Sequence, residues 1–161
     1  MSDHNRSYFS LANYLKRFII VTGGRIGNRI TKTALVFTIA TCKFSEIVAM
    51  NKPREDHSSS TLGNSVFVFG GLNTNGPMNS IERLKIAPDS IVTAPKWDTI
   101  ALDPGFAPRA NPAVCAISRS KVLICGGSQQ NKNLSDIWVV NAKTRTMQKI
   151  ANAPFGFHCL S

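Results

Sequence analysis

Long apolar runs, acidic residues and paired cysteines are all scarce in this sequence, and each shortage removes a class of function. The longest apolar runs span about five residues, against the roughly twenty that a bilayer-crossing helix needs. No membrane span is read, and no membrane partner is expected. The amino-terminal stretch MSDHNRSYFS lacks the basic-then-apolar order of a secretion signal, so a cytoplasmic setting is expected. The cysteines, Cys42, Cys115, Cys125 and Cys159, contain no C-x-x-C pair and so no metal-like spacing. Cys115 and Cys125 flank one hairpin and are expected as two reduced, mostly buried thiols. His4, His57 and His158 are the only histidines, and no carboxylate keeps a fixed spacing to them. Packed or capping roles are expected for them, and no catalytic residue, metal or cofactor is assigned.

Nine Asp and Glu stand against nineteen Lys and Arg, for a formal net charge of +10. That balance attracts acidic proteins, nucleic acids or anionic surfaces in general terms. The basic residues are dispersed along the chain with no run of five, and aromatics are not interleaved with them. A nucleic-acid partner is therefore not expected. Helical periodicity is missing as well: no segment longer than about ten residues carries it, which favours an all-β chain.

What the sequence does have is a motif that recurs. Phe18-Ile-Ile-Val-Thr-Gly-Gly24 is matched by Ser65-Val-Phe-Val-Phe-Gly-Gly71 and Lys121-Val-Leu-Ile-Cys-Gly-Gly127, with 47 and 56 residues between the pairs. Pro53-Arg54 lies 16 residues before Gly70, Pro108-Arg109 lies 17 before Gly126, and Arg6 lies 17 before Gly23. Phe44 and Met147 each follow a Gly-Gly pair by 20 residues, and Trp97 is their displaced counterpart in the middle unit. A fourth arginine slot falls near Pro154-Phe155, where no arginine stands, and His57 and His158 share the position three residues further on.

Each unit reads as four short strands divided by turns. Unit one gives SYFSLAN, RFIIV, KTALVFTIA and KFSEIVAM. Unit two gives HSSSTL, SVFVF, SIERLKI and KWDTIAL, with a Gly63-Asn64 turn. Unit three gives PAVCAIS, KVLIC, SDIWVVN and TMQKIA, with a Ser118-Arg119-Ser120 turn. A four-stranded sheet of this kind buries its faces only against neighbours.

These residues resemble kelch repeats, whose period is about 50 residues. The resemblance runs from about Arg6 to His158. It implies an all-β fold: a partial kelch-type β-propeller of about three four-stranded antiparallel blades, in one domain over 1–161. Blades are expected at about 6–52, 53–107 and 108–154, with 155–161 starting a further strand. Propellers close with about four to eight blades, so the expectation is a partial member of the family, with self-association as a second way to cover the open blade faces.

The glycine-rich stretch VTGGRIGNRI also fits, in Thr22, Gly23 and Gly27, the loop of short-chain dehydrogenases. Against that stand Arg29 at the last glycine position, the strand-like TKTALVFTIATCKF that follows, and the absence of any Tyr with Lys four residues later. Gly23, Gly24, Gly70, Gly71, Gly126 and Gly127 are therefore read as glycines that end packed strands.

In a blade, the loop before the first strand and the loop between the second and third strands open on the same face. This face commonly binds partners in kelch proteins. It carries Arg6, Arg54 and Arg109 in the first set and Arg25, Arg29, Asn73, Asn75, Gln129, Gln130 and Asn133 in the second. The expectation is a non-catalytic recognition module that grips a polar or acidic protein segment there, since a guanidinium fork suits carboxylates. Recurrence of Arg54 and Arg109 also fits a structural role, tying loops to carbonyls of the adjoining blade. The resemblance leaves one enzymatic alternative, action on a sugar or alcohol with catalytic residues in other blades; nothing here resembles the copper site some family members use.

Overall fold

The computed structural model describes residues 5–86 and 96–157. Among these residues there is no helix; the chain forms three four-stranded antiparallel meanders. Unit one pairs Ser10–Tyr14, Phe18–Thr22, Ala34–Thr38 and Lys43–Ile47 in chain order. Unit two pairs Ser58–Leu62, Ser65–Phe69, Ile81–Lys85 and Trp97–Ile100. Unit three pairs Ala113–Ala116, Lys121–Cys125, Asp136–Asn141 and Thr146–Asn152. Between the second and third strands of each unit lies a small hairpin: Arg25–Ile26 with Arg29–Ile30, Leu72–Asn73 with Gly76–Pro77, and Ser128–Gln129 with Lys132–Asn133.

The first strands of consecutive units lie side by side. Ser10 and Ser59 share a hydroxyl hydrogen bond of 2.7 Å, and the Thr61 hydroxyl donates to the Asn13 carbonyl at 2.7 Å. The Ser58 hydroxyl donates to the Pro112 carbonyl. The sheets fan outward from this seam, and the period of two decides what each buries. One face of unit one, with Tyr14, Ile20 and Val36, packs on Val66, Val68, Leu84 and Trp97 of unit two. The opposite face of unit two, with Phe67, Phe69 and Ile81, packs on Val122, Ile124, Trp138 and Val140 of unit three. SVFVF of unit two is covered on both sides, and Val66 through Phe69 are all buried.

The register accounts for the downstream marker. Phe44 pairs with Phe37, Trp97 with Leu84 and Met147 with Val140, and each of these pairs sits four rungs from its Gly-Gly. Trp97 is 2% exposed against unit one, and its indole N–H donates to the Val48 carbonyl at 2.9 Å. Phe44, on the matching face of unit one, has no sheet against it among the described residues and is 61% exposed.

Three details depart from the sequence reading. The first strand of unit one starts at Ser10 rather than Ser7, because Tyr8 sits at φ 54 and interrupts the extended chain. Arg6–Ser7 pair instead with Arg25–Ile26. The further strand expected at 155–161 does not form over 155–157, and residues 158–161 lie outside the described residues. Nor are Cys115 and Cys125 mostly buried: Cys115 is exposed and Cys125 half-buried, and both are free thiols, as is the exposed Cys42.

Candidate interaction site at the Gly-Gly end

Every second strand runs into its Gly-Gly pair at the same end of the sheets, and the recurring arginines converge there. The Arg6 guanidinium donates to the Gly23 carbonyl at 2.8 Å and to the Thr33 hydroxyl at 2.7 Å. Arg54 donates to the Gly70 carbonyl at 2.7 Å, to the Ser80 hydroxyl at 3.1 Å and to the Glu82 carboxylate. Arg109 donates to the Gly126 carbonyl at 2.8 Å and to both carboxylate oxygens of Asp136 at 2.8 Å, with its guanidinium 4.0 Å from the Phe106 ring centroid. Each side chain thus clamps the Gly-Gly and the start of the third strand of its own unit.

Main-chain bonds supply the link between units. The Gly24 N–H donates to the Arg54 carbonyl at 2.7 Å, and the Gly71 N–H donates to the Arg109 carbonyl at 2.9 Å. A Cβ on Gly70, which sits at φ 62, would overlap the Arg109 carbonyl oxygen. Close backbone approach, with a left-handed torsion that only glycine takes cheaply, is what the pair provides.

The structure corrects the site reading at Arg54 and Arg109. Both are fully buried and have no surface to offer a partner. Their side chains reach their own unit rather than carbonyls of the adjoining one. Burial lowers the pKa of Arg54, opposed by the charge of and hydrogen bond to Glu82. Burial also works to raise that of Asp136, but hydrogen bonds from Arg109 and Trp138 prevail and hold it low. The fourth slot is also relocated. The Gly127 N–H donates to the Phe157 carbonyl at 2.8 Å, and the Phe157 N–H donates to the Leu134 carbonyl at 3.1 Å. These match the two backbone bonds of Arg109, so Phe157 rather than Phe155 occupies the slot. His158 and His4 lie outside the described residues.

His57 is buried against Gly23, sharing a 2.9 Å hydrogen bond with the Thr22 hydroxyl. Burial, reinforced by the Arg54 charge, lowers its pKa to about 3, so the ring is neutral in the fold. No group of three or more potential metal ligands occurs among the described residues. After Gly23-Gly24 the chain turns through a hairpin of Arg25–Ile26 and Arg29–Ile30 instead of starting a helix, and the space around Gly27 is open. A phosphate loop feeding a helix N-terminus is therefore not built.

The remaining site residues divide into two places. A cleft of about 360 Å³ lies between the hairpins of units one and two; Arg25, Arg29 and Asn73 line it together with Asn28, Glu55 and Thr74. Arg25 is already engaged: its Nε donates to Glu55 at 2.6 Å in a forked pair, which raises its pKa through that hydrogen bond. Arg29 is exposed and has no ion pair among the described residues. Asn75, at the hairpin tip, donates its N–H to the Asn73 side-chain oxygen at 2.8 Å. Gln129, Gln130 and Asn133 belong to the unit three hairpin, away from this cleft. Sequence reasoning missed Thr33, Glu82 and Asp136, the partners of the arginines. Their signal was a polar residue 27 or 28 positions after each arginine.

Residues 3–156 match the family model described as the KLHDC2/KLHL20/DRC7 Kelch-repeats domain. The chain belongs to the kelch-repeat family. Among curated kelch-related proteins, it is 33% identical over 113 residues to rat "Host cell factor 1", covering 60% of this chain and 5% of that protein. It is 29% identical over 106 residues to human "Kelch domain-containing protein 1", covering 64% of this chain and 25% of that protein. The three sheets described above are thus kelch blades, all-β and propeller-like in kind.

Proposed function

We propose that this chain is a non-catalytic protein-recognition module that receives a polar or acidic protein segment in the cleft between the hairpins of units one and two. Kelch-repeat membership supports a protein partner. One observation carries the proposal: Arg29 is an exposed guanidinium with no ion pair among the described residues, at the rim of a cleft of about 360 Å³ that also offers Asn73 and the Arg25–Glu55 pair. A carboxylate docking there gains a forked partner in Arg29. Free thiols at Cys42, Cys115 and Cys125 fit a reducing, cytoplasmic setting.

The test is an array of acidic peptides and their Gln/Asn counterparts, probed with the parent chain, Arg29→Ala and Lys149→Ala. The expected result is that retained acidic peptides lose about tenfold or more with Arg29→Ala, roughly the worth of a charge-assisted contact, and nothing with Lys149→Ala. Equal retention by all three proteins rejects the cleft. A reproducible thermal shift with sugars or Cu²⁺ would favour the enzymatic alternative instead.

A second reading, self-association, is favoured by the outward apolar face of unit one, where Leu11 and Phe44 are exposed. Light scattering after size exclusion tests it: a discrete dimer supports pairing of open faces, and a monomer at all concentrations rejects it. Phe157 already holds the slot beside Gly127, so a second copy's first unit would have to displace it.

A further inference from the structure

The end of the sheets opposite the Gly-Gly pairs carries the turns between first and second and between third and fourth strands. Unit one places exposed Lys16, Arg17 and Lys43 there. Unit two adds exposed Lys85 and Lys96. Unit three adds exposed Arg119, Lys121, Lys143 and Arg145. None of these cations is in an ion pair among the described residues. Asp98 is the one described carboxylate near them, and it is held by Arg83 at 2.6 Å. Residues 87–95, the connection in unit two, are outside the described residues. Cations dispersed in the sequence are therefore gathered in space by the meander.

The same end exposes aliphatic side chains at turn tips: Leu15 at 47%, Ile39 at 45% and Ile117 at 52%. Leu15 and Lys16 both sit at φ 54 in their turn, where Asn or Gly rests at lower cost. Between this turn and the next lies a cleft of about 260 Å³, lined by Lys16, Arg17, Phe18, Thr38, Ile39 and Ala40. Arg17 also lies 5.6 Å from the Phe18 ring centroid. The concavity is mainly apolar, through Phe18, Ile39 and Ala40, with Lys16 and Arg17 on its lining.

We infer that the turn end is a second interaction surface, fitted to an acidic protein segment whose carboxylates are punctuated by apolar side chains, with one apolar residue seated at Phe18 and Ile39. The field of clustered unpaired cations draws such a segment in, and the cleft supplies an anchor. Nucleic acid lacks the aliphatic component, and the bases have no row of exposed aromatics on which to stack. A lipid surface needs no anchoring cleft. The inference rests on the protein-recognition reading but not on the Arg29 cleft.

The experiment is fluorescence anisotropy of the full chain with a labelled Glu-Glu-Leu repeat peptide, run beside a Glu-only peptide, single-stranded DNA of similar charge, and phosphatidylserine vesicles. The expected result is that the Glu-Glu-Leu peptide binds more tightly than the other three and weakens about tenfold or more when salt rises from about 50 to 300 mM. Lys16→Glu/Arg17→Glu/Lys43→Glu should abolish that binding, Ile39→Ser should weaken it, and Lys149→Ala, away from both sites, should leave it unchanged. Tighter binding of DNA or vesicles overturns the assignment of partner. No binding of the peptide, or equal binding by the triple variant, overturns the surface. Loss with Arg29→Ala but not with the triple variant moves acidic binding to the Gly-Gly end.

Discussion

The two ends of the sheets use charge in opposite ways. At the Gly-Gly end the recurring guanidinium groups are internal: Arg54 and Arg109 are fully buried, each spent on a glycine carbonyl and a carboxylate. At the turn end the lysines and arginines named above are exposed, and none of them is in an ion pair among the described residues. An arginine that recurs in every unit marks a structural clamp, because each unit has the same strand junction to hold. A cation that no clamp or ion pair engages is available to a partner. The sign and number of charges therefore say little until each is placed at one end or the other.

Substitutions at the two ends should differ in kind. The largest effects belong to the Gly-Gly end. Gly70→Ala adds a Cβ against the Arg109 carbonyl at a left-handed torsion, and Arg109→Ala leaves Asp136 without its forked partner. Each is expected to cost about 3–5 kcal/mol in urea unfolding; a cost below about 1 kcal/mol would show that the junction relaxes easily. Next comes pH. His57 has a folded pKa of about 3 against roughly 6.5 in an unfolded chain. The unfolded state thus binds more protons between those values, and stability falls as pH drops through that window, by about 1.4 kcal/mol per unit. His57→Gln should flatten the profile between pH 7 and 5 in urea titrations; an unchanged profile would mean the ring is not held neutral. Smaller still is Gly27→Ala, at φ 56 but with open space around it, expected at about 1 kcal/mol from backbone strain alone by thermal unfolding. Smallest is charge reversal at Lys121 or Lys143, expected within about 0.5 kcal/mol. A larger loss there would erase the contrast between the ends.

Much of the fold was legible because period-two alternation and the Gly-Gly pairs mark strands and their ends directly. SVFVF and KVLIC coincide with Ser65–Phe69 and Lys121–Cys125. The site was less legible. Phe157 takes the fourth slot through two backbone bonds, which leave no trace in side-chain identity. Asp136 escaped notice because the equivalent positions hold Thr33 and Ser80, and Glu82 stands two residues beyond that position, so no identity repeats. Arg25 stood out as a single-copy arginine, yet its charge is matched by Glu55, a residue 30 positions away that only packing brings near. The basic turn end was invisible for a related reason. A search for runs of charge counts neighbours along the chain, whereas Lys16, Lys43, Lys121 and Arg145 come to one end of the sheets only when the meanders align their turns.

The most direct test of this division is the coupling energy between Arg109 and Asp136, measured by urea unfolding of Arg109→Leu, Asp136→Leu and the double variant. A clamp internal to the blade predicts a double variant more stable than the sum of the single losses implies, with a coupling of about 2 kcal/mol or more. Additive losses, with coupling below about 0.5 kcal/mol, would contradict it and return the buried arginines to the pool of residues available for recognition.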